Sequence, residues 1–253
     1  MLIMNKLFTH TNFLDQSRKL LDLNVILITR QFPDVENRVR KIFSLTSAIS
    51  LLTLVSPAQA LPIPQGFKLM LSDTGVQVYQ QDRVSKNPEY VTAVNLEKGN
   101  IRNLIGTSEN MLNGIVNKKL LTEFWQDAVK QNTSIRKVKV VINASFFSTN
   151  NNPTRIAFGL KVDNRIISYG YAIGKEYPGQ IRTFSFNPDQ KVANIQNYRL
   201  ETFDSTPDVV GALDEHANKS ENSYLPRTFV GIRDDDRNGT TETVIFYREG
   251  CFA

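Results

Sequence analysis

Sulfur and imidazole are scarce in this chain: its 253 residues include one cysteine, Cys251, and two histidines, His10 and His216. One cysteine forms no intramolecular disulfide, and the scarcity excludes a zinc site built on Cys or on a Cys/His set. The chain has no phosphate-cradling Gly-rich loop and no Gly-x-Ser-x-Gly elbow, so hydrolase classes built on those motifs are unsupported. Its apolar run Ile42–Val55 has 14 residues, short of the roughly 20 that cross a bilayer as a helix. What remains is the mixture of a globular domain: 41% hydrophobic, 22% charged and 9% aromatic residues. That mixture excludes a disordered tail, a collagen-like fibre and a multi-pass membrane protein.

The formal net charge of +5 suggests a nucleic-acid partner until its location is considered. Residues 1–60 hold seven Lys or Arg and four acids, which leaves 23 and 21 in residues 61–253, a net charge of +2. No basic stripe with interleaved aromatics survives that subtraction, so no nucleic-acid partner is expected.

The same N-terminal region carries the clearest compositional signal. Arg38, Arg40 and Lys41 precede the apolar run Ile42–Val55, which closes with Ser56-Pro57-Ala58-Gln59-Ala60. Basic, then apolar, then small-x-small is the order of an export signal, so residues 36–60 are expected to be a signal peptide cleaved after Ala60. The alternative is a buried apolar helix at the start of the fold. Residues 1–35 are then an N-terminal extension or the product of a mis-set start. Export implies a periplasmic or extracellular protein with no stable membrane span after cleavage.

Beyond residue 61 the pattern is one of short strand-like runs separated by polar turns. Strands are expected at Val76–Tyr79, Tyr90–Leu96, Ile101–Leu104, Arg136–Asn143, Thr183–Phe186, Val192–Tyr198, Arg227–Ile232 and Glu242–Tyr247. Ile156–Val162 and Arg165–Ile173 are expected to form a hairpin through the dipeptide Asp163-Asn164. Asn117–Gln131 is predicted to be a core-packing helix, with Leu120, Leu121, Phe124, Ala128 and Val129 on its apolar face and Trp125 at the border. Many strands, few helices and no regular βαβ alternation predict an α+β domain with a mostly antiparallel mixed sheet, preceded by the export signal.

Four segments in order carry a resemblance: Val140-Val-Ile-Asn-Ala-Ser-Phe-Phe147, Phe158-Gly-Leu-Lys-Val-Asp163, Asp208-Val-Val-Gly-Ala-Leu213 and Leu225-Pro-Arg-Thr-Phe-Val-Gly-Ile232. Together they resemble the phosphodiester glycosidase family, which includes the uncovering enzyme that removes N-acetylglucosamine from its phosphodiester linkage to mannose. The resemblance spans roughly residues 75 to 248. It implies an exported hydrolase that cleaves a glycosyl phosphodiester, with Asn143, Phe146 and Phe147 beside the substrate and Arg227 with Thr228 on the polar wall. Ala144 and Ser145 stand where family members usually carry two glycines. The family's C-terminal segment, an Asp followed by Gly and Ser, has no counterpart after Tyr247, so the domain reads as incomplete at its C terminus. A non-catalytic envelope or carbohydrate-binding protein, or an inactive remnant of the enzyme, is the alternative.

The residues themselves support part of this chemistry. Holding phosphoryl oxygens suits a planar guanidinium, for which Arg227 is the candidate, against the reading of a surface Arg beside an edge strand. Departure of the sugar needs a carboxyl group as acid or as a stabiliser of an oxocarbenium-like centre. Asp208, at the start of an apolar strand, is the first choice, with Asp214 and Glu215 behind it. Asn143 is a hydrogen-bonding partner for a sugar hydroxyl or phosphate oxygen, or a tether for the following loop. His216 lies in a polar stretch and reads as solvated. In the loop at 233–242, Asp234, Asp236, Asn238 and Gly239 match the first half of a calcium loop, but Ile245 stands where the bidentate Glu belongs. A hairpin loop closed by Asn238-Gly239 fits better. Neither a metal nor a cofactor is expected.

Overall fold

The computed structural model describes residues 2–4, 21–22, 24–31, 65–83, 86–107, 114–148, 150–217 and 227–250. Residues 36–60, expected to be the export signal, lie outside the described residues, as does the whole apolar run within them. The first 31 residues contribute three strands: β1 (Leu2–Met4), β2 (Leu21–Asp22) and β3 (Asn24–Gln31). A meander follows, with β4 (Lys68–Asp73), β5 (Val76–Arg83), β6 (Lys86–Asn95) and β7 (Gly99–Ile105). Next come the short β8 (Ile115–Val116) and β9 (Lys119–Leu120), the helix α1 (Leu121–Lys130), and β10 (Arg136–Asn143).

The remaining elements are β11 (Thr154–Arg155), β12 (Leu160–Val162), β13 (Arg165–Ser168), β14 (Ile181–Asn187) and β15 (Val192–Asn197). A short helix α2 (Leu200–Ser205) leads into β16 (Asp208–Asp214), and β17 (Thr228–Arg233) and β18 (Thr243–Arg248) close the order. Eleven strands form one sheet, along the path β13-β12-β16-β1-β17-β18-β6-β5-β4, with β14 and β15 branching from β16. A second sheet has the order β10-β3-β7. Strand pairs are antiparallel throughout, and α1 and α2 are the helices among the described residues. The fold is therefore α+β with a mostly antiparallel sheet and few helices.

Side-chain alternation along the strands builds the layers. From β16, Val210 and Ala212 enter one core with Val230 of β17, while Leu213 enters a second core packed by Phe229. The first core lies between the two sheets, because β7 and β10 add Ile101, Val140 and Ile142 to it. On its other side β10 turns Val138 and Val141 toward Ala128 of α1. The order is thus helix, small sheet, large sheet and a covering of loops and α2.

The helix α1 is shorter than the expected span of 117–131, and its buried side is narrower. Phe124 and Ala128 are 1% exposed, whereas Leu121 and Val129, expected on the apolar face, are 37% and 40% exposed. The small sheet offers α1 a strip one residue wide, made by Val138 with Val141 and Leu104. Residues four apart fill that strip, and their flanking neighbours remain at the rim.

The hairpin joining β12 to β13 turns at Asp163 and Asn164, whose φ angles of 46° and 65° are those of a type I′ turn. Asn and Asp accept that left-handed backbone more readily than other side chains. Behind the turn, Asn164 N–H donates to the Pro207 carbonyl at 2.9 Å, anchoring the hairpin to the start of β16. At Gly211 the edge of β16 changes partner, from β12 below it to β1 above it. A Cβ on Gly211 would lie 1.8 Å from the Phe158 carbonyl oxygen, so only glycine fits.

Candidate functional site

The strand β10 places Asn143 at its last position, and the chain then dives into the protein. Ala144, Ser145, Phe146 and Phe147 are each at most 1% exposed. Adjacent extended residues point to opposite sides, so Phe146 packs edge-on against Phe158 in the second core while Phe147 enters the first. Both rings are structural anchors. The Asn143 Oδ1 atom is buried and has no hydrogen-bond partner among the described residues.

Past Phe147 the chain emerges into an open groove of about 420 Å³, lined by Ile115, Ser148, Asn151, Pro153, Thr154, Arg155 and Tyr171. Backbone pairing fixes its walls. Phe147 bridges Ile156, Ser148 N–H donates to the Arg155 carbonyl at 3.2 Å, and β11 pairs with β8. The Thr154 hydroxyl donates to the Ser148 carbonyl at 2.6 Å, and Asn152 Oδ1 accepts from Lys118 N–H at 2.8 Å. Tyr171 is set by its N–H, which donates to the Ile156 carbonyl at 3.1 Å. Burial, with the Glu176 charge in support, pushes its phenol above the ordinary range, and Arg155 pulls the other way. Arg155 is exposed and has no ion-pair partner among the described residues. The groove therefore presents one cation, several hydroxyl and amide groups and an aromatic ring.

Asp208 lies elsewhere. It is 1% exposed and stands between the two sheets, where Asn103 Nδ2 donates to its Oδ1 at 3.1 Å. The same Asn103 amide donates to the Lys161 carbonyl at 3.1 Å, and Asp163 N–H reaches Asp208 Oδ1 at 3.4 Å. Burial first, then the Asp163 charge, raises the carboxyl to about 7, against the Asp163 N–H, Asn103 and Arg102, which favour the ionised form. Asp208 Oδ2 and Asn103 Oδ1 are both buried with no hydrogen-bond partner among the described residues. At neutral pH the carboxyl is thus far more readily protonated than an exposed aspartate.

Arg227 immediately precedes β17, and its carbonyl accepts from Glu249 N–H at 2.8 Å, which extends the β17–β18 pairing by one residue. Thr228 is 7% exposed and pairs with Arg248 and Met4. Registers through β1 set Asp214 level with Val230, and hence Arg227 level with Gly211. At strand spacings of about 4.8 Å and a rise of about 3.3 Å per residue, Asp208 and Arg227 are roughly 14 Å apart in Cα position. Alternation also puts them on opposite faces of the sheet. The structure does not bring these two residues together, and neither lines the groove.

The reserve carboxylates are engaged. Asp214 forms an ion pair with Arg182 Nη2 at 2.5 Å, and the His216 N–H bond, with Arg182, holds its carboxyl below the ordinary range. Glu215 lies 3.5 Å from the exposed His216 ring. In the β17–β18 connection, Asp234 accepts from the N–H groups of Asn238 and Gly239, closing the loop where expected. Glu242, rather than residue 245, brings its carboxylate within 4.8 Å of those of Asp234 and Asp236.

The groove residues escape sequence reasoning because they come from three separated segments, and Arg155 and Tyr171 carry no motif. Their one signal is proximity to the Asn143–Phe147 run. No helix among the described residues is long and apolar enough to cross a membrane. No family model, curated protein or solved structure matches this chain.

Proposed function

We propose that the protein is exported and binds a glycosyl phosphodiester, which it holds in the groove beside Phe147. One observation carries this reading: the guanidinium of Arg155, which has no ion-pair partner among the described residues, shares an open groove of about 420 Å³ with Tyr171, Ser148, Asn151 and Thr154. A phosphodiester needs a fork of cationic donors, and a sugar needs hydroxyl and amide partners and an apolar ring face. The resemblance to phosphodiester glycosidases supplies the same substrate class independently of the groove.

Two versions of this function follow. In the hydrolase version, water displaces the phosphate at the anomeric carbon at a site other than this groove, with either Asp208 as proton donor or Arg227 as phosphate holder, since the two do not face one centre. In the binding version, the protein retains the ligand without turnover. The separation of Asp208 from Arg227, and the absence of a carboxylate among the groove's described lining residues, favour binding.

The test is calorimetric titration of the purified full chain with an N-acetylglucosamine 1-phosphodiester, run beside an assay for released sugar. Arg155→Ala is expected to weaken binding by roughly 10- to 100-fold, the loss of one charge-assisted contact. Sugar release that vanishes in Arg227→Ala while Arg155→Ala leaves it intact refutes the groove as the site. Absence of both binding and release refutes the function.

A further inference from the structure

The strand β3 is paired along both edges. Val25–Gln31 makes seven register pairs with β10, and Asn24–Arg30 makes seven with β7. In this three-stranded sheet β7 and β10 meet only through β3. Take β3 away and two strand edges face each other across a space one strand wide, with their N–H and C=O groups unsatisfied. The floor of that space is apolar, because Ile101 of β7 and Val140 and Ile142 of β10 belong to the core between the sheets.

Residues 32–67 separate β3 from β4, and the cleavage point expected after Ala60 falls inside that stretch. A cut there breaks none of the fourteen register pairs. It removes the tether on one side only, so β3 then depends on its own pairs and on β1 and β2 of the same fragment, which pair with β16, β17 and β9, and its effective-concentration advantage is reduced.

We propose that the space between β7 and β10 is a strand-acceptor site, filled in the uncut chain by Asn24–Gln31 and open to an extended peptide once the chain is cut between Gln31 and Lys68. The ligand class is an eight-residue segment like Asn-Val-Ile-Leu-Ile-Thr-Arg-Gln, rich in β-branched residues, running antiparallel to both neighbours. Main-chain hydrogen bonds on two edges provide the affinity. Proline is excluded, since a strand paired on both sides uses every N–H. The export reading supplies the biological cut, but the geometry of the acceptor does not depend on it.

The experiment uses the full chain with a specific protease site inserted after Leu52, purified intact and then cut. In the uncut protein, hydrogen exchange should protect the amides of 24–31 as it protects those of 136–143. After cutting, a fluorescent peptide of residues 21–31 should enter and displace residues 24–31 from between β7 and β10, whereas the uncut chain should take up none. The same peptide carrying Ile26→Pro and Ile28→Pro should bind at least about tenfold more weakly. Precipitation of the cut protein that excess peptide prevents also supports the site. The proposal is overturned by rapid exchange at 24–31 in the uncut chain, by failure of the peptide to enter, by equal binding of the proline peptide, or by precipitation that peptide does not relieve. Export is read separately, from the N-terminal residue of protein recovered from the cell envelope, so failure of one reading leaves the other standing.

Discussion

Asp208→Asn isolates the cost of a carboxyl group that is 1% exposed between two sheets. In the unfolded chain this group titrates near its ordinary 3.8, and in the folded protein near about 7. Between those values the folded state binds the extra proton, so stability falls as pH rises from about 4 to about 7 and is level beyond. At about 1.36 kcal/mol per pH unit of that gap, the penalty at pH 8 is about 4 kcal/mol. The amide keeps the Oδ1 acceptor for Asn103 and Asp163 and carries no charge. Its NH2 group meets the same unpartnered surroundings as Oδ2, which costs about 1–3 kcal/mol. The variant should therefore be more stable than the parent by about 1–3 kcal/mol at pH 8, and equal or less stable at pH 4. Urea midpoints of both proteins from pH 4 to pH 8 measure this directly. Subtracting one curve from the other removes the contributions of Asp214 and Asp127, whose lowered values act in the opposite sense. Parallel curves across that range, or a variant that is weaker at pH 8, would refute the account.

Other substitutions probe the packing. Gly211→Ala places a methyl group 1.8 Å from the Phe158 carbonyl oxygen, so β12 and β16 must part, and a loss of more than about 3 kcal/mol in a thermal melt is expected. Phe146→Ala and Phe147→Ala should each cost about 3–5 kcal/mol, because each empties a fully buried site in a different core. If either variant keeps its melting temperature but loses ligand binding, that ring touches ligand instead.

Local chemistry made much of the fold readable. The strand Arg136–Asn143 is where its apolar run places it, and the Asp163-Asn164 turn follows from two residues that tolerate positive φ. The outer limits of the meander strands shift by a few residues because pairing partners, not composition, decide where a ladder ends. The role of Asn24–Gln31 was not legible. Its β-branched run stands ahead of a basic, apolar and small-residue series, and nothing local says that its partners lie about 70 and 110 residues downstream. Asp208 stood out as a polar residue opening an apolar strand, and it is indeed buried, but its partner Asn103 comes from a distant strand. The groove depends on where three loops meet, a tertiary fact with no periodic signature.

The placement of β1 and β3 has a consequence for the order of assembly. Synthesis delivers these strands first, yet β3 has nothing to pair with until residues 99–105 and 136–143 exist, and β1 waits for 208–214 and 228–233. The β14–β15 hairpin and its junction with β16 close over short sequence distances and are expected to form early. The N-terminal strands are therefore expected to dock late, after the longest loop closures among the described residues. Until those partners are made the chain carries a β-branched segment with its edges unpaired, which is when a chaperone would meet it.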